Sequence, residues 1–302
     1  MGIVISSVAA EIGGGSSIEQ AAAAARRAIA EAGSTPEQID ALINTGVYRD
    51  SNMVEPAMSA LIQQQAGIGL EYHSGDVPCL SFDLMNGACG VLNAIQVGQA
   101  LLEAPTVHRV LLVAGDAHPS KSPVPQPGFP IKPVGAALLL EKVPGTAGFG
   151  ALHISATDAR PMTEGYLRLS EMGTTGRSSI RVQRSGTVEE LLHHAVSAAS
   201  EALEVADVAL DRIVLVCGRP TADFPALLAA RLGIAPEAIS TDDTAPVDDS
   251  GSAPLDAHTS ALPVAYLAAR DSGKLAAADV ALFVAAGAGP SAAAIAYRLP
   301  KP

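Results

Sequence analysis

Three cysteines and seven histidines are the residues of this chain best suited to covalent or acid–base chemistry. Cys79, Cys89 and Cys217 are too few and too scattered for a disulfide framework or a zinc site, and they read as reduced thiols. Two residues stand out by position. Cys89 lies in FDLMNGACGVLN, where the apolar helical run GVLNAIQVGQALLEA opens, and His258 lies in AHTSALP, where TSALPVAYLAARDSG opens. A thiol can serve as a nucleophile and an imidazole as a base. His193 and His194 fall within the amphipathic run VEELLHHAVSAASEALEVA and are expected to face solvent. Metalloprotease, phosphate-loop and dinucleotide signatures are absent, and GGGSS at 13–17 lacks the lysine of a phosphate loop.

The elements that must position these residues repeat. IEQAAAAARRAIAEA at 18–32 is an amphipathic helix closed by Gly33, followed by IDALINTG, a short strand ending at Gly46. Residues 188–218 repeat that order, with DRIVLVCG ending at Gly218, which is 218 − 46 = 172 residues later. VLLVAG ends at Gly115 and VALFVAAG at Gly287, and 287 − 115 is again 172. Each of these strands follows an apolar helix and precedes another strand, GAALLLEK at 135–142 and AAAIAYRL at 292–299. Strands apolar on both faces need a sheet covered by helices. The expectation is an α/β fold of two duplicated halves, 1–145 and 146–302, in alternating layers of helix and sheet. The proline-rich DAHPSKSPVPQPGFPIKP reads as a surface loop, and the polar, glycine-bearing stretch 157–187 as an irregular bridge between the halves. By the same offset, 258 − 172 = 86, so His258 mirrors Asn86 and is expected near the Ala88–Cys89 turn.

Composition narrows the partners. At 48% hydrophobic, 17% charged and 3% aromatic with no Trp, the 302 residues can build a large aliphatic core. A net charge of −12 argues against nucleic acid. It also disfavours an acidic carrier protein unless Arg49, Arg109, Arg177 and Arg181 cluster. The start of the chain has no basic leader and no run of about 18 apolar residues occurs, so a cytoplasmic protein is expected.

With FDLMNGACGVLNAIQVGQALLE, RVLLVAGDAHPS and PVGAALLLEK on a duplicated α/β chain, the sequence resembles the thiolase superfamily, and within it the ketoacyl-acyl-carrier-protein synthase III enzymes and their long-chain acyl-condensing relatives. The resemblance spans nearly the whole chain and is most specific over 82–116. It implies a layered αβαβα fold and acyl-coenzyme A or acyl-carrier-protein thioesters as substrates. It also implies a dimer built on the strand 78–85, and no cofactor. In that family a cysteine at a strand-to-helix turn, its thiolate favoured by the partial positive charge of the helix N-terminus, takes the acyl group, while a His and an Asn stabilise the enolate beside a backbone oxyanion hole.

This chain departs from that pattern. Aligned without gaps from Phe82-Asp83 to Gly90, the nucleophile position falls on Ala88, with Cys89 one residue later and rotated by about 100° on a helix. Counted back from ARLG at 230–233, the family's His-Gln-Ala-Asn falls on Gly218, Arg219, Pro220 and Thr221, which removes the His. His258 stands where the family has Asn, a place at which some synthase III-like acyltransferases carry a His as base for oxygen or nitrogen acceptors. Asn86, Ala88 and Gly218 are expected to line the substrate. The first expectation is therefore a non-catalytic or modified subunit pairing with an active homologue, or with itself. The second is an acyltransferase or condensing enzyme acylated on Cys89 with His258 as base, and the third a binding module for acyl thioesters.

Overall fold

A computed structural model describes residues 1–13, 15–50, 55–70, 78–117, 131–157, 163–167, 170, 180–184, 187–242, 256–287 and 289–301. Most of the proline-rich loop, 118–130, lies outside the described residues.

The first sheet holds β1 (Gly2–Ile12), β2 (Ala41–Asn44), β3 (Leu80–Asp83), β4 (Arg109–Asp116) and β5 (Val134–Val143), in the order β1-β5-β4-β2-β3. The second holds β6 (Gly148–Ala156), β9 (Ile213–Cys217), β10 (Ile239–Ser240), β11 (Val280–Ala286) and β12 (Ser291–Arg298), in the order β10-β9-β11-β12-β6. Read from the opposite edge, the second order matches the first strand for strand. In both, a parallel trio meets an antiparallel pair: β2 runs parallel to β3 and β4, and β9 parallel to β10 and β11. Between the sheets in sequence, β7 (Thr163–Leu167) and β8 (Ile180–Arg184) pair antiparallel. The stretch expected to be wholly irregular thus contains a two-stranded ribbon, because backbone pairing does not need an apolar pattern.

Helices fill the remaining layers. Alternate residues of each strand face opposite ways, and this sorts the cores. Val110, Leu112, Leu138 and Leu140 face inward to α3 (Gly90–Glu103) and α6 (Ala261–Asp271), which share one buried cluster with Val216, Phe283 and Tyr297 of the second sheet. Leu111, Val113 and Leu139 face outward, under α1 (Ser17–Glu31) and α2 (Met58–Ala66). Leu215, Leu282 and Val284 face the other way, under α4 (Val188–Ala206) and α5 (Phe224–Leu232). The layers run helix, sheet, helix, sheet, helix. Each fully buried aliphatic side chain contributes about 1.5–3 kcal/mol.

Small residues set how closely α1 lies on its sheet. A Cβ on Gly135 of β5 would sit 2.3 Å from the backbone of Gln20, so only glycine admits the helix there. Ser16 and Glu19 close its N-terminus as a reciprocal capping box.

Candidate functional site

In parallel α/β sheets, ligands bind beyond the carboxyl ends of the strands. Here β2 and β4 of one sheet, β9 and β11 of the other, and the openings of α3 and α6 define that region. The turn leading into α3 is tight: Gly87 takes φ +50, Cys89 N donates to Asn86 O (3.1 Å) and Gly90 N to Gly87 O (3.0 Å). Asp83, just upstream, accepts from Met58 N (3.0 Å) and Ser59 N (2.8 Å) at the start of α2 and pairs with Arg49 (2.8 Å). The Phe-Asp step of the motif thereby ties the turn to a second helix.

Ala88 and Cys89 have opposite surroundings. Ala88 is half-buried, and a Cβ on Gly287 would lie 3.3 Å from its own Cβ. Cys89 is 3% exposed, and its thiol donates to Ala285 O at 3.8 Å in the core. Burial pushes that thiol up to about 12, against weaker lowering contacts from Ser291 and Ala293. This direction is opposite to the acidification expected of a helix-mouth nucleophile, because the thiol is buried against Ala285 O. Asn86 is exposed, its amide held by Asn93 Oδ1 at 2.8 Å. Gly218, at the end of β9, faces Ala261 and Asp256, where added Cβ contacts would be 3.3 and 4.0 Å.

His258 opens a single 3₁₀ turn, His258–Ser260, that leads into α6 and touches α3, β4 and β5. Its φ of +50 is in the left-handed region. Its ring is buried, with Nδ1 3.0 Å from Asp116 Oδ2 and the ring centroid 5.4 Å from that of Tyr48. Asp116, at the end of β4, is fully buried. Its Oδ1 accepts from Val47 N (2.9 Å) and Tyr48 N (2.7 Å), and its Oδ2 also accepts from Thr259 N (3.2 Å) and Thr259 Oγ1 (2.5 Å). Burial alone would raise this carboxyl, but the His258 charge and these hydrogen bonds together hold it below the usual carboxylate range. Behind the ring, Asp256 Oδ1 accepts from His258 N (2.9 Å) and Asp242 Oδ2 from Ala257 N (2.8 Å).

The sequence singled out His258 and the turn at Ala88 as candidates but not Asp116, Tyr48, Asp242 or Asp256, which the structure sets around the His258 segment. The only signal for Asp116 was a lone carboxylate ending an apolar strand, VLLVAGD. His194, expected in solvent, is buried and bonds Ser155 Oγ through Nδ1 at 2.8 Å, because α4 lays this face on β6. Of the arginines that might have clustered, Arg49 pairs with Asp83 and Arg109 with Glu141. Arg177 lies outside the described residues. Among the described residues, no group of three metal-ligating side chains occurs and no helix is long and apolar enough to cross a membrane.

Solved structures share this architecture across their full length. The synthase III of Pseudomonas aeruginosa PAO1, a 3-oxoacyl-(acyl carrier protein) synthase, aligns with a TM-score of 0.78 over 100% of this chain and 99% of its own, at 17% identity. The fold is that of the thiolase-type synthase III enzymes. Sequence similarity is more local. A β-ketoacyl-[acyl-carrier-protein] synthase III of Chlamydia pneumoniae is 38% identical over 95 residues, 32% of this chain and 25% of that protein. An acyl-CoA:acyl-CoA alkyltransferase of Xanthomonas campestris pv. campestris is 30% identical over 98 residues, 32% of this chain and 26% of that one. The matched stretch thus spans about a quarter of the length of either curated relative. No family model matches the chain.

Proposed function

We propose that this synthase III-like chain works in acyl-thioester metabolism as a modified subunit that is not itself acylated on Cys89 and pairs with a cysteine-bearing homologue. The observation that carries the reading is the exchange at the turn: the half-buried position facing Gly287 is Ala88, while the Cys89 thiol is buried against Ala285 O. Decarboxylative condensation in this fold would need a thiolate and two enolate-stabilising side chains, and the positions aligned with the family's His carry Gly218 to Thr221. The names of the similar proteins support acyl-coenzyme A or acyl-carrier-protein thioesters as the ligand class.

A second reading is favoured by the Asp116–His258 contact. The chain would move an acyl group directly from a thioester to an oxygen or nitrogen acceptor, with His258 as base. Intact-mass spectrometry after incubation with acyl-coenzyme A thioesters, alone and beside a cysteine-bearing homologue, tests the first reading. The expected result is no adduct on this chain, an adduct on the homologue, and higher condensing activity when both are present. A single acyl mass on this chain that Cys89→Ala abolishes would overturn it.

A further inference from the structure

His258 occupies a backbone position that glycine or asparagine would take at lower cost, since β-carbon-bearing residues reach positive φ rarely. Helix capping alone does not explain it. Thr259 already supplies a backbone N–H and a hydroxyl to Asp116, whatever residue stands before it. Strain of this kind persists where surrounding contacts over-determine it. Here Asp242, Asp256 and Asp116 each hold one element of the Ala257–Thr259 segment. What the strained backbone achieves is the placement of one imidazole nitrogen on a fully buried carboxylate.

We infer that Asp116 is a positioning residue, which fixes His258 as the Nδ1–H tautomer and so makes Nε2 the proton-accepting atom of the site. An ionised carboxylate has only acceptors to offer, so the ring nitrogen bonded to it must donate. Three backbone N–H groups, of Val47, Tyr48 and Thr259, can only donate, and they fix the Asp116 carboxyl as the acceptor of this network. Its other four bonds, from Val47, Tyr48 and Thr259, all come from donors, which leaves the carboxylate no alternative polarity. The role rests on the direct-transfer reading. As an acceptor O–H or N–H attacks the thioester carbonyl carbon, its proton passes to Nε2. When the C–S bond breaks, the leaving thiolate takes that proton back, and the products are an ester or amide and a free thiol. Asp116 stays ionised throughout and touches neither reactant.

The tautomer is measured without any assay of turnover. Two-bond ¹H–¹⁵N correlation spectra of the full chain labelled with ¹⁵N-histidine, with the His258 signals assigned by their loss in His258→Gln, should show the neutral ring protonated on Nδ1. Asp116→Asn should move it toward the Nε2–H form. An Nε2–H ring in the wild-type chain, or an unchanged ring in folded Asp116→Asn, overturns the inference. The wild-type spectrum decides it even if that variant does not fold. With an acyl-coenzyme A donor and a small amine or alcohol acceptor, Asp116→Asn should slow thiol release about 100-fold or more, mainly in kcat. Absence of transfer by the wild-type chain would sink the direct-transfer reading and the use of Nε2 as its base, while the spectra still decide whether Asp116 fixes the tautomer.

Discussion

One position decides how the turn before α3 is read. Cys89 and Ala88 are adjacent, yet one side chain goes into the core and the other toward the loop after β11. A second residue-scale feature is more surprising for a protein this acidic: Asp242 is 2% exposed, and its Oδ1 has no hydrogen-bond partner among the described residues. Burial first, and the neighbouring Asp256 charge second, push its carboxyl up to about 6. Its folded value lies above the ordinary one of 3.8, so between about pH 4 and 6 the folded chain binds more protons than the unfolded chain. Stability therefore falls as pH rises through that window and stays lower by about 3 kcal/mol above it. Asp242→Asn keeps an oxygen for Ala257 N and cannot ionise. It should be about 1–3 kcal/mol more stable than wild type in urea unfolding at pH 7.5, with the difference gone at pH 4. An equal difference at both pH values would refute the burial cost.

At the scale of elements, the close docking of α1 depends on glycines in the strands beneath it. Gly135→Ala should cost about 3 kcal/mol or more, because the new methyl meets helix backbone, which cannot rotate away. Gly150→Ala on β6, where the nearest atom is Ala296 O at 3.4 Å, should stay within about 0.5 kcal/mol. Thermal melts of the two variants check the contrast, and a Gly135→Ala melt matching wild type would contradict it. Most of these elements were legible in the sequence. The strands at 41–44, 109–116, 213–217 and 280–286 fall on the apolar runs that end in Gly46, Gly115, Gly218 and Gly287. The helices α3 and α6 open where the repeat put them. What escaped was contact chemistry. Asp116 and His258 are 142 residues apart, and no local period records a hydrogen bond between a strand end and a helix opening. The positive φ at His258 carries no glycine or asparagine to announce it. In the β7–β8 ribbon, TEGYL at 163–167 carries no apolar alternation, and the alternating run IRVQR at 180–184 is only five residues long within a polar, glycine-bearing stretch.

For the whole molecule, we propose that the halves meet near residue 145, since the first sheet is drawn from Gly2–Val143 and the second from Gly148–Arg298. We also propose that each chain pairs through β3, with a second copy or with a homologue. Among the described residues β3 ends the first sheet, bonded there only to β2, and two large apolar side chains at or beside it, Leu80 and Met85, are 56% and 52% exposed. Leu80 N and Leu84 N donate back toward β2, to Asp40 O and Asn44 O at 3.0 and 2.8 Å. The alternation of a strand then turns the N–H groups of Ser81 and Asp83 outward, a template for another strand. Ser81→Pro removes one outward donor without touching the bonds to β2, and Leu80→Lys puts a charge on the same edge. Light scattering at micromolar concentration should give twice the chain mass for the wild type, or for its complex with a homologue. Either substitution should return a folded monomer with an unchanged circular dichroism spectrum. A wild-type chain that stays monomeric both alone and beside a cysteine-bearing homologue would refute the pairing. The subunit reading would fall with it, because a silent chain can act on acyl thioesters only through the partner it completes.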